Sequence, residues 1–345
     1  MTPLKRTLLL TGMVGLSLAA AGCSTKSNAD QAGKSKELTV VFLPGDSAKE
    51  ATAARTALAS EIHKATGKKV NVKTTTDYNV AIQAITSGKA QVALMGPDGY
   101  IQAHKQNSAV KPILTYSGKS GTLKDAQYHS YVMVPKAKAA QYKVNGKYSL
   151  NKIKGQRMSF VSNTSTSGFA IPAGAIQTAF KLKSKDDLQQ NNKFFSKVLF
   201  GGSHQGSAVN LLKGDADVAA FDDMDLVQYG KFTNDSTKAG ADFKVNADAP
   251  APFNSVRGKE SIALAAYPVQ NEPLVVNSKG VSQSDVNKIV KAFTSKRVAN
   301  DPKFFAPADA KVRGLFTKDG KTQFIGISDK WYAPTHKVLA NKPNS

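Results

Sequence analysis

Cysteine is nearly missing from this chain of 345 residues, where Cys23 is the only one. No internal disulfide can form, and no thiol other than Cys23 can act as a nucleophile or sulfur ligand. Two catalytic patterns are missing as well: no H-E-x-x-H pair is present to hold zinc, and no G-x-S-x-G elbow to raise a serine nucleophile. Acidic residues are few, 25 Asp and Glu against 47 Lys and Arg, for a formal net charge of +22. That balance invites a nucleic-acid reading. The lysines, however, are spread along the whole length, with no clustered basic patch and no interleaved aromatic run. A solvated basic surface facing an anionic envelope accounts for them better, and no nucleic-acid partner is expected. No apolar run reaches the ~20 residues of a membrane-spanning helix. Nothing repeats at a period of about 20–50 residues, which excludes a solenoid.

What is present suits a two-domain globular protein: the length is sufficient, and hydrophobic residues make up 41%, enough for a substantial core. The N-terminus stands apart. Lys5 and Arg6 precede an apolar run from Leu8 to Ala21 and then small residues, the plan of a secretory signal over residues 1–22. The sequence AAGC ending at Cys23 resembles a bacterial lipobox, with Ala20 where a larger aliphatic residue is commoner. That resemblance implies cleavage before Cys23, lipid on its sulfur, and residues 23–36 as a small, polar tether. The location implied is extracytoplasmic, anchored to a cell membrane.

From Glu37 onward, strand-like and helical patterns alternate. ELTVVF, KKVNV, AQVALM and VKPILTY read as strands, separated by helices over Ala48 to Ala65, after Asp77, and over Asp98 to Gln106. A second series follows YHSYVMVP. RMSFV, FFSKVLF and ADVAAF read as strands, with helices over Ala173 to Leu182 and Ser203 to Lys213. Asp222 to Gly230 reads as helical, Thr233 to Ala249 as irregular, SIALAAYPV as a strand, and Ser282 to Arg297 as one helix. Such alternation predicts α/β lobes, each a mixed, mainly parallel sheet flanked by helices, with ligand sites at the carboxyl ends of strands. SGKAQVALMGPDG (Ser87 to Gly99) and KGDADVAAFDDMD (Lys213 to Asp225) share one plan, so two similar lobes with a cleft between them are expected.

Several polar residues fall at such strand ends: Tyr78, Tyr100, His204, and Asp222 with its neighbour Asp223. The densest group is SNTSTSGFAIP (Ser162 to Pro172), which follows RMSFV. Ser and Thr there can be ordinary helix caps, or hydroxyls and amides arranged around an anion such as phosphate. Pro172 cannot sit inside a helix begun at Ser165, because its ring would clash with the carbonyl of Gly168. A short amide-rich turn over Ser165 to Gly168, then a fresh helix with Pro172 in its first turn, is the expectation.

Taken in order, TTTDY (Thr74 to Tyr78), GPDGY (Gly96 to Tyr100), YHSY (Tyr128 to Tyr131), STSG (Ser165 to Gly168) with Pro172, GGSHQGS (Gly201 to Ser207), GDADVAA (Gly214 to Ala220) and NEPLVV (Asn271 to Val276) resemble the phosphate/phosphite/phosphonate-binding lipoproteins of bacterial ABC importers. The resemblance runs from about Glu37 to about Arg297. It implies the type II periplasmic-binding-protein fold, here with residues 37–130 and 269–345 as one lobe and 131–268 as the other. It implies a monomeric binding protein without catalysis, cofactor or metal, which hands a small phosphorus oxyanion to a permease and its ATPase. It puts the oxyanion grip on Ser165, Thr166 and Ser167, a further donor on His204, and a closing aromatic on Tyr78, with Tyr100 and Tyr128 along the wall. Asp222 and Glu272 would receive a P–OH proton or an ammonium; the family commonly has Asp at the latter position.

Two other classes compete. Ser165 or Ser167 with His204 and Asp222 has the composition of a hydrolytic triad. A basic envelope protein could also bind acidic polymers through charge alone, with a strength that collapses in salt.

Overall fold

The computed structural model describes residues 35–44 and 49–340. The secretory signal, Cys23 and the tether up to residue 34 lie outside the described residues. Among those described, no helix is long and apolar enough to cross a membrane.

The chain first forms β1 (Glu37–Phe42), α1 (Lys49–Thr66), β2 (Lys69–Thr74), α2 (Tyr78–Thr86), β3 (Val92–Leu94), α3 (Pro97–Gln106) and β4 (Val110–Tyr116). It crosses into β5 (Gln127–Pro135), a hairpin of β6 (Lys143–Val144) and β7 (Lys147–Tyr148), then β8 (Arg157–Phe160) and α4 (Ile171–Phe180). Next come β9 (Lys197–Phe200), α5 (His204–Lys213), β10 (Val218–Asp222), β11 (Gly230–Phe232), β12 (Asp242–Val245) and β13 (Glu260–Gln270). The return passes through β14 (Leu274–Asn277), α6 (Gln283–Phe293), α7 (Lys296–Ala299), the paired short strands β15 (Phe305–Ala306) and β16 (Phe316–Thr317), β17 (Phe324–Gly326) and α8 (Ala333–Ala340).

Two main sheets result, ordered β17-β4-β14-β3-β1-β2 and β11-β12-β13-β5-β10-β8-β9. Each is the centre of a lobe. Alternation along the strands explains why both faces are covered: successive side chains point to opposite faces. In β1, Leu38, Val40 and Phe42 join a core with Leu58 and Ile62 of α1 and Phe293 of α6, while Val41 meets Ile82, Ile85 and Tyr100 on the other side. In β5, Val132 and Val134 pack with Phe160 and Ile176, while Tyr131 and Met133 pack with Leu211 and Phe243. Asp77 caps α2 by accepting from the Asn79 N–H at 2.6 Å. Gly88 and Gly214 follow α2 and α5 at φ of +78° and +91°, a conformation open to glycine without steric cost.

Both sheets are mixed, as expected, but the expected predominance of parallel pairing needs correction, since most pairings are antiparallel. β1–β2, β1–β3, β8–β9 and β8–β10 pair in parallel. The returning β14 inserts antiparallel between β3 and β4, so the crossover strands on either side of it no longer touch. In the second sheet, β5 lies antiparallel to both β10 and β13. Local patterns also differ in places. Asp222 to Gly230 contains only a short helical turn at Met224–Leu226, the segment read as irregular contains β12, and the single C-terminal helix is broken into α6 and α7, with Ser295 capping the second.

Candidate functional site

β8 ends at Phe160, and the chain turns through Ser162 into the Ser/Thr-rich stretch. The Ser165 N–H donates to the Ser162 carbonyl at 3.0 Å, and Ser165 Oγ accepts from the Gly168 N–H at 3.1 Å. A single π-helical turn, Thr166–Ala170, leads into α4, whose first turn holds Pro172. The break ahead of Pro172 is therefore a wide turn that leaves three hydroxyls buried side by side. Gly168 is obligatory here, because a Cβ would lie 2.2 Å from Val161 Cγ2.

Each hydroxyl faces a different partner. Thr166 Oγ1 accepts from the Asp98 N–H at 2.8 Å, reaching the first turn of α3 in the other lobe. Gly96 permits that approach, since a Cβ there would stand 2.7 Å from Thr166 Oγ1. Ser167 Oγ donates to Asp222 Oδ2 at 3.2 Å and accepts from the Tyr128 hydroxyl at 3.2 Å. Its carbonyl accepts from Ser130 Oγ at 2.6 Å, which ties the turn to β5.

His204 opens α5 and is 4% exposed. Its Nδ1 accepts the Asp222 backbone N–H at 3.1 Å, so the neutral ring carries its proton on Nε2. Nε2 points at Ser165 Oγ and Ser167 Oγ, both 3.5 Å away, and at Asp222 Oδ2 at 3.4 Å. Burial lowers the imidazole pKa, against the opposing charges of Asp225 and Asp223. A neutral N–H donor in the middle of the hydroxyls is the result.

Asp222 is the carboxylate that faces inward, and Asp223 turns away to His129 and Tyr131. Burial, then the charges of Asp225 and Asp223, push the Asp222 carboxyl well above the usual range. Glu272 is pushed up to about 8 by burial and by Asp225; its backbone is pinned by Thr115 Oγ1, which donates to its carbonyl at 2.9 Å. Tyr78 and Tyr128 are both buried, and their phenols are raised by burial first and then by the neighbouring carboxylates. For Tyr78, the Ser165 hydroxyl acts against that rise.

Ser165, Thr166, Ser167, His204, Asp222, Tyr128, Tyr78 and Glu272 thus come together. Tyr100 does not. Its hydroxyl donates to Asp329 Oδ1 at 2.6 Å, and its ring packs on Tyr332 and His104. The end of β3 instead contributes backbone, Gly96 and the Asp98 N–H. Sequence reasoning missed Asp225, whose N–H donates to Asp222 Oδ1 at 3.1 Å; the acidic run DDMD after β10 was the available signal. It also missed Tyr116, whose hydroxyl meets Met224 Sδ of the other lobe at 2.6 Å. His204, Asp222 and Asp225 bring potential ligand atoms within 4.8 Å of one another, the one such group among the described residues. Nδ1 of His204 is committed to the Asp222 amide, and Asp222 accepts from Ser167 Oγ and from the Asp225 N–H.

A hydrolytic triad needs a serine facing an imidazole lone pair and a carboxylate holding the opposite N–H. Here Nδ1 is the acceptor and the N–H faces the serines. The ring cannot take a serine proton in this arrangement.

A two-lobed α/β fold with buried hydroxyls, a neutral imidazole donor and amides between the lobes defines a solute-binding protein of the periplasmic type. Residues 40–332 match the family described as ABC transporter, phosphonate, periplasmic substrate-binding protein, and the chain belongs to that family. Its members are extracytoplasmic binding proteins rather than enzymes. The chain is 26% identical over 210 residues to the phosphate-import protein PhnD of Mycolicibacterium smegmatis, a match covering 61% of this chain and 62% of that relative's length. In fold it is similar to a binding protein component of an ABC phosphonate transporter from Pseudomonas aeruginosa (TM-score 0.62, 16% identity, 88% of this chain and 86% of that one). It is likewise similar to PhnD1 of Prochlorococcus marinus in complex with methylphosphonate (TM-score 0.60, 16% identity, 88% and 97%).

Proposed function

We propose that this protein captures a small phosphorus oxyanion (phosphonate, phosphite or phosphate) between its lobes and delivers it to an ABC permease and its ATPase. The observation that carries this reading is the convergence of the Ser165 and Ser167 Oγ atoms on the Nε2–H of His204 in a buried turn, with Thr166 Oγ1 meeting the Asp98 N–H of the other lobe. Hydroxyls, amides and a neutral imidazole replace the hydration shell of an anion without placing a full positive charge against it. Asp222 and Glu272 flank the cradle as the groups that receive a P–OH proton or an ammonium, and since burial favours their neutral forms, such a ligand draws them into the ionised form on binding. Tyr78 covers the cradle from the opposite lobe. The chain crosses between the lobes after β4 and again between β13 and β14, and closure about those crossings traps the ligand with no bond made or broken. Cys23 carries the lipid that holds a monomeric protein at the cell membrane; a Cys23→Ser protein released into the medium supports that assignment, and one still membrane-bound overturns it.

Calorimetric titration with phosphate, phosphite, methylphosphonate and 2-aminoethylphosphonate tests the central claim. Binding of at least one, largely independent of salt, supports it. Absence of measurable affinity for all four, or affinity that collapses with salt as for acidic polymers, overturns it.

A further inference from the structure

Beside the cradle lies a cavity of about 100 Å3, lined at one end by Tyr78, Asp225 and Glu272. Two arginines, Arg55 and Arg313, also line it. Arginine is scarce after residue 36, with only Arg55, Arg157, Arg257, Arg297 and Arg313. Two of the five, Arg55 and Arg313, border one small cavity next to the cradle.

Their placement gives the cavity a direction. Arg313 also lines the groove that continues outward along α1 past Ala53 and Ala57, so it stands at the end away from the buried Tyr78. Arg55 is held in place, donating to Thr74 Oγ1 at 3.1 Å with its guanidinium 5.4 Å from the centre of the Phe42 ring. Beside Arg313, Gly314 lets the chain approach closely, since a Cβ there would lie 2.7 Å from the Ala306 nitrogen. Asp225 disfavours a second anion at the inner end, whereas the planar guanidinium fork of Arg313 at the outer end matches a carboxylate.

Resting on the function proposed above, we propose that this cavity is a second recognition subsite. It takes the organic substituent of a phosphonate that ends in a carboxylate, with Arg313 and Arg55 as the partners of that carboxylate. The substituent passes Asp225 and Glu272 as methylene carbons and places its charge beyond them.

The test is calorimetric titration of the protein and its Arg313→Gln, Arg313→Lys and Arg55→Gln variants with methylphosphonate, propylphosphonate, 3-phosphonopropionate and 2-aminoethylphosphonate. The expected result is 3-phosphonopropionate binding at least tenfold more tightly than propylphosphonate. Arg313→Gln should remove most of that gain, Arg313→Lys should keep part of it, and methylphosphonate affinity should stay within about twofold in every variant, which also reports intact folding. Equal affinity for the two three-carbon ligands overturns the proposal, as does an equal loss for all ligands in Arg313→Gln. A preference for 2-aminoethylphosphonate over 3-phosphonopropionate overturns it in favour of a cation read by Asp225 and Glu272. Each of these failures leaves methylphosphonate binding in place; loss of binding to every phosphorus ligand would overturn the parent reading as well.

Discussion

His204 shows how one backbone amide sets the chemistry of a side chain. Because the Asp222 N–H occupies Nδ1, the ring offers a donor to the cradle and never a base. His204→Ala removes that donor, and Ser165→Ala removes a hydroxyl; each should cost ~1.5–3 kcal/mol of affinity for a charged ligand, read by calorimetry. An effect within error would exclude the residue from the grip. Glu272 makes a separate prediction about stability. Its native pKa of about 8 lies above the ordinary 4.5, so burial favours the protonated form. The stability this gives is complete below about pH 4.5 and is lost as pH rises through about 8. Ligand-free protein should therefore lose melting temperature between pH 5 and pH 9, and Glu272→Gln should flatten that loss. A parallel decline in the variant would assign the pH dependence elsewhere.

At the scale of elements, the turn between β8 and α4 depends on two glycines rather than on the hydroxyls themselves. Gly96→Ala places a methyl 2.7 Å from Thr166 Oγ1, pushing α3 off the cradle. About a tenfold loss of affinity (~1.4 kcal/mol) is expected, with little change in melting temperature, since the clash is relieved when the lobes part. Unchanged affinity would show that Thr166 and α3 do not meet in the bound state. This stretch was legible in the sequence because proline geometry and hydroxyl chemistry are local: Pro172 forced the break, and the cap had to precede it. Periodicity likewise located α1, α3, α5 and the strands β8 and β10. What could not be read was non-local. β14 pairs between β3 and β4 although some 180 and 160 residues separate it from them, and β12 has only four residues and becomes a strand by pairing with β13. Tyr100 follows a strand end just as Tyr78 does, but the helical phase of α3 turns it towards Asp329. Asp225 owes its place to a tight turn that reads, by composition, as helix.

The whole molecule is held shut by a few contacts across the cleft. The Thr166–Asp98 bond is one. Met224 is another, a second-lobe side chain packed against the first-lobe core, with Sδ at the Tyr116 hydroxyl. Asp98 itself is raised to about 6 by burial, with Lys185 of the other lobe among the charges that oppose the rise. Met224→Ala removes the apolar contact and should shift the ligand-free population towards open forms. Small-angle scattering should show a larger radius of gyration without ligand and a normal one at saturation. An identical radius in both proteins without ligand would mean that Met224 has no part in closure.

The Ser167–Asp222 bond carries one more consequence. A buried carboxyl with a raised pKa keeps a proton that it can share with a ligand oxygen of similar basicity. Sulfate is far too weak a base to take part in that proton, while a phosphonate or phosphate oxygen can hold it. In the site proposed here, cargo is sorted by its acidity rather than by its size. Sulfate should compete far more weakly than phosphate or phosphonate, and Asp222→Asn, which replaces the shared proton with a fixed amide donor, should narrow the gap.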